Sequence, residues 1–140
     1  MNNNRLDNIF LQFKRLVGII EKDIIKKISD MDIGDLTIAE IGIMDAIGLN
    51  SEKTIKEIAQ QLEVAVSTPT KTMDRLVKKG YIVRKTSDED RRMVVSTLTE
   101  KGHDALIKVT TMRQEKIMEF TKKLTHEEID QLLLILDKLM

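Results

Sequence analysis

Two short helical patterns, residues 54–62 and about 67–79, stand about four residues apart, and the only β-rich runs of the chain follow at once. That order limits the fold more than any other feature. The first pattern opens on Thr54-Ile-Lys-Glu57, a capping box in which threonine and glutamate each satisfy a backbone N–H at the helix start. It places Ile55, Ile58, Ala59 and Leu62 on one side. The second carries Met73, Leu76 and Val77 at steps of three or four, and Gly80 follows as a C-terminal cap. Residues 81–86 and 93–98 are rich in β-branched side chains and flank the polar Ser87-Asp-Glu-Asp-Arg-Arg92, the pattern of a two-stranded hairpin with a charged tip. A helix braced on a second across a tight turn, with a hairpin behind it, is the plan of a winged helix-turn-helix. Ala59 suits a close helix crossing, with Ile58, Leu62 and Val64 filling the space around it. Six Gly and one Pro in 140 residues exclude a turn-rich all-β architecture, so the expected class is mainly α.

Flanking this unit are longer amphipathic helices. Leu6, Ile9, Phe10, Phe13, Leu16, Val17, Ile20, Ile24 and Ile28 recur at helical spacing, and Gly34 with clustered aspartates ends the pattern. Thr37-Ile-Ala-Glu40 reads as another capping box, opening a helix that turns Ile38, Ile41, Met44 and Ile47 inward and stops at Gly48. A mostly polar link, residues 49–53, follows. The region 99–124 is helical again, and Thr125-His-Glu-Glu128 is a third capping box before a helix bearing Ile129, Leu132, Leu133, Leu136, Leu139 and Met140 on one broad face. Apolar stripes at both chain ends exceed what one small domain usually buries, and intramolecular packing is the alternative to a homodimer interface built from both ends. The expected organisation is a single domain over 1–140, with dimerisation helices at 1–35 and 99–140 around a winged lobe at 36–98.

Charge supports a functional reading of the middle segment. The whole chain is neutral, with 23 basic and 23 acidic residues, yet residues 66–92 hold 8 basic against 4 acidic side chains. A basic island over the helix-turn-helix and hairpin suits a nucleic-acid partner. The absence of cysteine removes disulfides, thiolate nucleophiles, cysteine-ligated zinc and thiol-based redox sensing. With no apolar run of 18 residues and a polar start, the chain is expected to be soluble and cytoplasmic, without a membrane partner. No Gly-rich phosphate loop, nucleophile elbow or paired-carboxylate signature is present, so no catalytic residue, cofactor or enzyme activity is expected. His126 and Asp130 have the spacing of a metal pair, but solvated surface is the preferred reading, and no metal site is expected.

The residues Ile55-Lys-Glu-Ile-Ala59, Asp74-Arg-Leu-Val-Lys-Lys-Gly-Tyr-Ile82, Asp90-Arg-Arg92 and Leu98-Thr-Glu-Lys-Gly102 together resemble the MarR family of bacterial transcriptional regulators. With Leu36-Thr-Ile-Ala-Glu40 the resemblance runs from about residue 36 to the end. It implies a homodimer whose terminal helices interlock, each subunit offering one winged helix-turn-helix to a roughly palindromic double-stranded DNA operator. Two positions depart from the family. Glu63 stands in the turn where the family often has glycine, and Pro69 stands where it usually has a small apolar residue, leaving open whether the second helix starts at an N-cap Thr68 or earlier.

Carried onto this chain, the resemblance makes Ser67, Thr68, Thr70, Lys71 and Arg75 the DNA-contacting stretch of the second helix. Hydroxyls and basic side chains can bond base edges or phosphates, while Lys78 and Lys79 read as solvated. Asp90 and Arg92 match the family's Asp-x-Arg, in which the wing arginine enters the minor groove and the aspartate orients it. Arg91 is then a phosphate contact. Residues 35–48 and the helix-turn-helix are similar to the FabT-type branch that represses fatty-acid synthesis genes. This branch implies acylated acyl carrier protein as effector, its acyl chain held by apolar residues such as Phe13, Val17, Met44 and Ile47. A ligand-responsive regulator of efflux or stress genes, answering to a small aromatic acid, is the alternative, and a winged-helix protein-interaction module is a further one.

Overall fold

A computed structural model describes residues 2–140. In chain order it contains α1 (Asn3–Ser29), α2 (Ile38–Ile47), α3 (Ile55–Gln61), α4 (Ser67–Lys79), β1 (Ile82–Thr86), β2 (Val94–Leu98), α5 (Glu100–Thr121) and α6 (His126–Leu139). This is the expected mainly helical winged helix-turn-helix. The chain forms two compact units, one of residues up to 24 with 110–140 and one of residues 25–109, so the boundaries fall inside α1 and α5. Among the described residues no helix is long and apolar enough to cross a membrane.

In the unit 25–109, α2 packs on α3 and α4, and α4 packs on β1. Met44, Ile47, Ile58, Met73, Leu76, Tyr81 and Ile82 are among its fully enclosed side chains. Truncating one of the large aliphatic ones, such as Ile58, costs about 2–5 kcal/mol through lost burial and the cavity left behind. The unit reaches beyond 36–98 because Ile28, Ile33, Ala105, Leu106 and Val109 are also buried. Within α2 the inward set differs from expectation: Ile38 is exposed, while Ile43 and Ala46 join Ile41, Met44 and Ile47 in the core. Ile38 is the first helical residue, and α2 is apolar on nearly all sides, so spacing alone does not select its buried face.

The α3 capping box forms completely, Thr54 and Glu57 exchanging hydrogen bonds of 3.1 Å each. The one expected at α2 forms only by half. Thr37 Oγ1 accepts from Glu40 N at 3.2 Å, but the Glu40 carboxylate turns away to partners on α4. After α3 the chain turns through Glu63, whose φ of 56° is left-handed, and Val64 N donates to Ala59 O at 3.0 Å. The helix α4 begins at Ser67, with Val66 as an N-cap lacking a side-chain bond. Pro69 is therefore the third helical residue, where the missing N–H removes no intrahelical bond.

The strands β1 and β2 pair antiparallel with Ile82 opposite Leu98 and Thr86 opposite Val94. Lys53, in the link before α3, adds an isolated bridge to Ser96, each N–H donating to the other's carbonyl at 3.1 and 2.8 Å. The wing is thus tied to the helix-turn-helix at its inner edge.

In the other unit, α6 opens on a complete capping box between Thr125 and Glu128 and buries none of its residues. Leu133, Leu134, Ile135 and Leu139 are exposed, Leu139 at 69%, and on α1 so are Leu6, Phe10, Phe13 and Val17, Phe10 at 70%. Lys116 Nζ lies 3.0 Å from Glu119 and 3.6 Å from Asp23.

Candidate nucleic-acid interface

The start of α4 presents small polar side chains. Ser67, Thr68 and Lys71 are exposed, and Thr70 is half-buried with its hydroxyl donating to Val66 O at 3.3 Å. Ser67, Lys71 and Arg75 follow one another a turn apart on one face. No acidic side chain and no side-chain cap occupies the first turn, which leaves the positive end of the helix dipole open to an anion. Met73 and Leu76 anchor the opposite face in the core.

The wing tip is ordered by its own hydrogen bonds. Ser87 Oγ accepts from Glu89 N at 3.3 Å, and Met93 N donates to Asp90 O at 3.0 Å. Asp90 Oδ1 accepts from both Arg92 N at 3.0 Å and Arg92 Nε at 3.3 Å. Arg92 is nevertheless 92% exposed, so the aspartate directs the base of the side chain and leaves the rest of the guanidinium in solvent. Arg91 is exposed beside it. Helix and wing are joined by Arg84 of β1, which donates to Asp74 of α4 at 2.6 Å.

Lys79 departs from the solvated position expected for it. Its ammonium donates to both oxygens of Glu40, at 2.9 and 2.8 Å, and to the Asp35 carbonyl. Glu40 is only 1% exposed, so two cations of α4 converge on a buried carboxylate: Lys79 and, at 3.6 Å, Arg75. Next to them the Tyr81 hydroxyl donates to Asp35 Oδ1 at 2.6 Å. Lys101 donates to the Lys79 carbonyl at 2.8 Å and stands 4.4 Å above the Tyr81 ring. Glu40 lacks any local signal of this role, because its partners lie 35 and 39 residues away. A mostly apolar ten-residue helix that carries two acidic residues, Glu40 and Asp45, is the available hint.

Of the four apolar residues named for an effector, Met44 and Ile47 are enclosed in the core of 25–109, whereas Phe13 and Val17 are exposed on α1.

The sequence profile of the MarR family matches residues 36–94. The regulator YwhA of Bacillus subtilis is 35% identical over 86 residues, 61% of this chain and 62% of that protein, so the match spans less than two thirds of it. The HTH-type transcriptional repressor MdtR of the same organism is 27% identical over 126 residues, 90% of this chain and 79% of MdtR. Among solved structures, FabT of Streptococcus pneumoniae in complex with DNA superposes with a TM-score of 0.83 at 25% identity, covering 99% of this chain and 94% of that one. Residues 36–94 thus match the MarR family, and nearly the whole length of the chain shares its fold with FabT.

Proposed function

We propose that this chain is a homodimeric, sequence-specific DNA-binding transcriptional regulator acting as a repressor. The observation that carries the reading is the joint exposure of two polar, basic elements of one unit: the first turns of α4 with Ser67, Thr68 and Lys71, and the wing arginine held by Asp90. In this reading α4 enters the major groove, where Lys71 and the hydroxyls bond base edges or phosphates and Arg75 adds a cation. Arg92 enters the neighbouring minor groove, where negative potential is concentrated, and Arg91 contacts phosphate. A palindromic operator needs two such lobes, and the exposed apolar side chains of α1 and α6 are the surface through which two chains pair. Likeness to FabT, solved with DNA, and to MdtR, named a repressor, supports the reading. Selection of bound fragments from a random duplex pool tests it: recovery of a palindromic sequence is expected, and recovery of no preferred sequence would overturn it.

The proposed effector is acylated acyl carrier protein, on the similarity of residues 35–48 to the FabT-type branch, with Phe13, Val17, Met44 and Ile47 as candidate acyl contacts. Because Met44 and Ile47 are enclosed, such a chain reaches them only if α2 shifts. A second reading is favoured by a small cleft of about 190 Å³ lined by Ile25, Ile28, Leu36, Thr37 and Ile38. That volume lies below the usual range for extended ligands and suits a small aromatic acid. Operator titrations with acyl carrier proteins of several chain lengths and with salicylate separate the two: a change in affinity only with the acylated protein supports the first, only with salicylate the second.

A further inference from the structure

We propose that Glu40 of α2 is a positioning residue for DNA recognition, acting through Arg75 of α4; this rests on the DNA-binding reading above. The carboxylate is almost wholly buried, and burying a charge is costly unless partners balance it. Lys79 supplies that balance alone, donating to both carboxylate oxygens while its own position is fixed by the Asp35 carbonyl. Arg75 is therefore not needed to neutralise Glu40. Its Nε nevertheless lies 3.6 Å from Oε1, and its Nη2 donates to Thr72 Oγ1 at 3.2 Å.

Two sides of the guanidinium are thus occupied by neighbours, while 53% of the side chain stays in solvent one turn beyond Lys71. An arginine on a free stem loses much rotamer freedom when it docks on DNA. One whose planar fork is already held loses less, so the arrangement adds affinity and fixes direction. Since Lys79 takes the charge of Glu40 at close range, the cation of Arg75 remains available to phosphate or a base edge. Glu40 never reaches the surface, and its effect on DNA passes through the residue it holds.

The test is a double-mutant cycle on an operator selected by the parent protein. Glu40→Gln keeps the shape and removes the charge, and is expected to weaken binding by about five- to tenfold in the parent. In an Arg75→Ala background the same change should cost less than about twofold. An equal loss in both backgrounds means that Glu40 merely supports the fold, and overturns the proposal. Arg75→Lys, on a half-exposed side chain that leaves Glu40 intact, gives a second arm that does not depend on folding of the Glu40 variant. It keeps the charge without the fork, so several-fold weaker binding is expected and parental affinity would overturn the proposal. A parent that selects no sequence overturns the DNA-binding reading and this one together, whereas a failed cycle on a working operator overturns this one alone.

Discussion

The carbonyl of Tyr81 lies so close to the Cα of Gly102 that a β-carbon at position 102 would overlap it. Thr99 makes the approach tight: its N–H donates to Tyr81 O at 3.0 Å, its hydroxyl donates to Gly80 O at 2.6 Å and accepts from Gly102 N at 3.1 Å. The end of α4, the start of β1 and the first turn of α5 are locked together by the backbone groups of Gly80, Tyr81, Thr99 and Gly102 and one threonine hydroxyl.

Gly102→Ala is accordingly expected to destabilise the protein by about 2 kcal/mol or more, since the obstacle is backbone and cannot rotate away. Urea unfolding of the variant against the parent measures this. A loss below about 0.5 kcal/mol would mean that α5 slides freely against Tyr81.

Glu63 carries a different backbone demand. With φ at 56° it pays the steric cost of the left-handed region that glycine avoids. Glu63→Gly should be neutral or stabilising by up to about 1 kcal/mol, while Glu63→Val, branched at Cβ, should destabilise by about 1 kcal/mol or more. Equal midpoints for the two variants would show that the turn relaxes out of this conformation in solution.

These two residues also show what local pattern can and cannot reveal. Gly102 and Glu63 stand out in the sequence as a family glycine and a missing one, and the turn and the hairpin around them follow from capping boxes, β-branching and Gly80. The cluster around Glu40 is not legible in this way. Thr37 and Glu40 have capping-box spacing, but a carboxylate chooses between the nearby N-cap amide and any cation the tertiary fold delivers, and Lys79 arrives from 39 residues away. Lys79 itself, in a run of two lysines at a helix end, has no local mark that distinguishes it from exposed Lys78. The start of α4 was ambiguous for a related reason: Pro69 is compatible with more than one position in a first turn, and only packing of Pro69, Met73 and Leu76 into the core decides the register.

Tyr81 predicts a pH dependence. Burial first, and then its hydrogen bond to Asp35, push the phenol well above its ordinary value near 10. The folded state therefore keeps this proton at pH values where the unfolded chain releases it, and stability contributed by Tyr81 is complete below about pH 10 and declines as pH rises above that. Between about pH 9 and pH 11 the stability of the parent should fall more steeply than that of Tyr81→Phe. Parallel curves would remove the tyrosine from the balance.

Leu133 is exposed on a helix that buries nothing within its own chain. Leu133→Asp should dissociate the proposed dimer and weaken operator binding, because each half-site would then be held by one lobe only. Sedimentation equilibrium at micromolar concentration measures the mass. A monomeric parent would count against the dimer, and unchanged mass and affinity in the variant would take this face of α6 out of the interface.

The wing supplies the last prediction. Asp90 holds Arg92 at the backbone N–H and at Nε, yet the guanidinium end stands free. If that end inserts into a minor groove, Arg92→Ala should weaken binding most on A·T-rich flanks, where the groove is narrow, and lower the slope of log affinity against log salt by about one phosphate-equivalent per wing. Asp90→Ala should keep the charge and lose the direction, so its salt slope stays near the parent's while its preference for A·T-rich flanks diminishes. Lys71→Ala should behave unlike either, costing about 1–3 kcal/mol if it reads a base edge and relaxing discrimination at one base pair in each half-site, whatever the flanks. Titrations of the three variants at several salt concentrations, on operators with A·T-rich or G·C-rich flanks, separate these effects. Arg92→Ala binding as tightly as the parent on every flank would show that the pair at the wing tip orders only the turn, and that recognition rests on α4 alone.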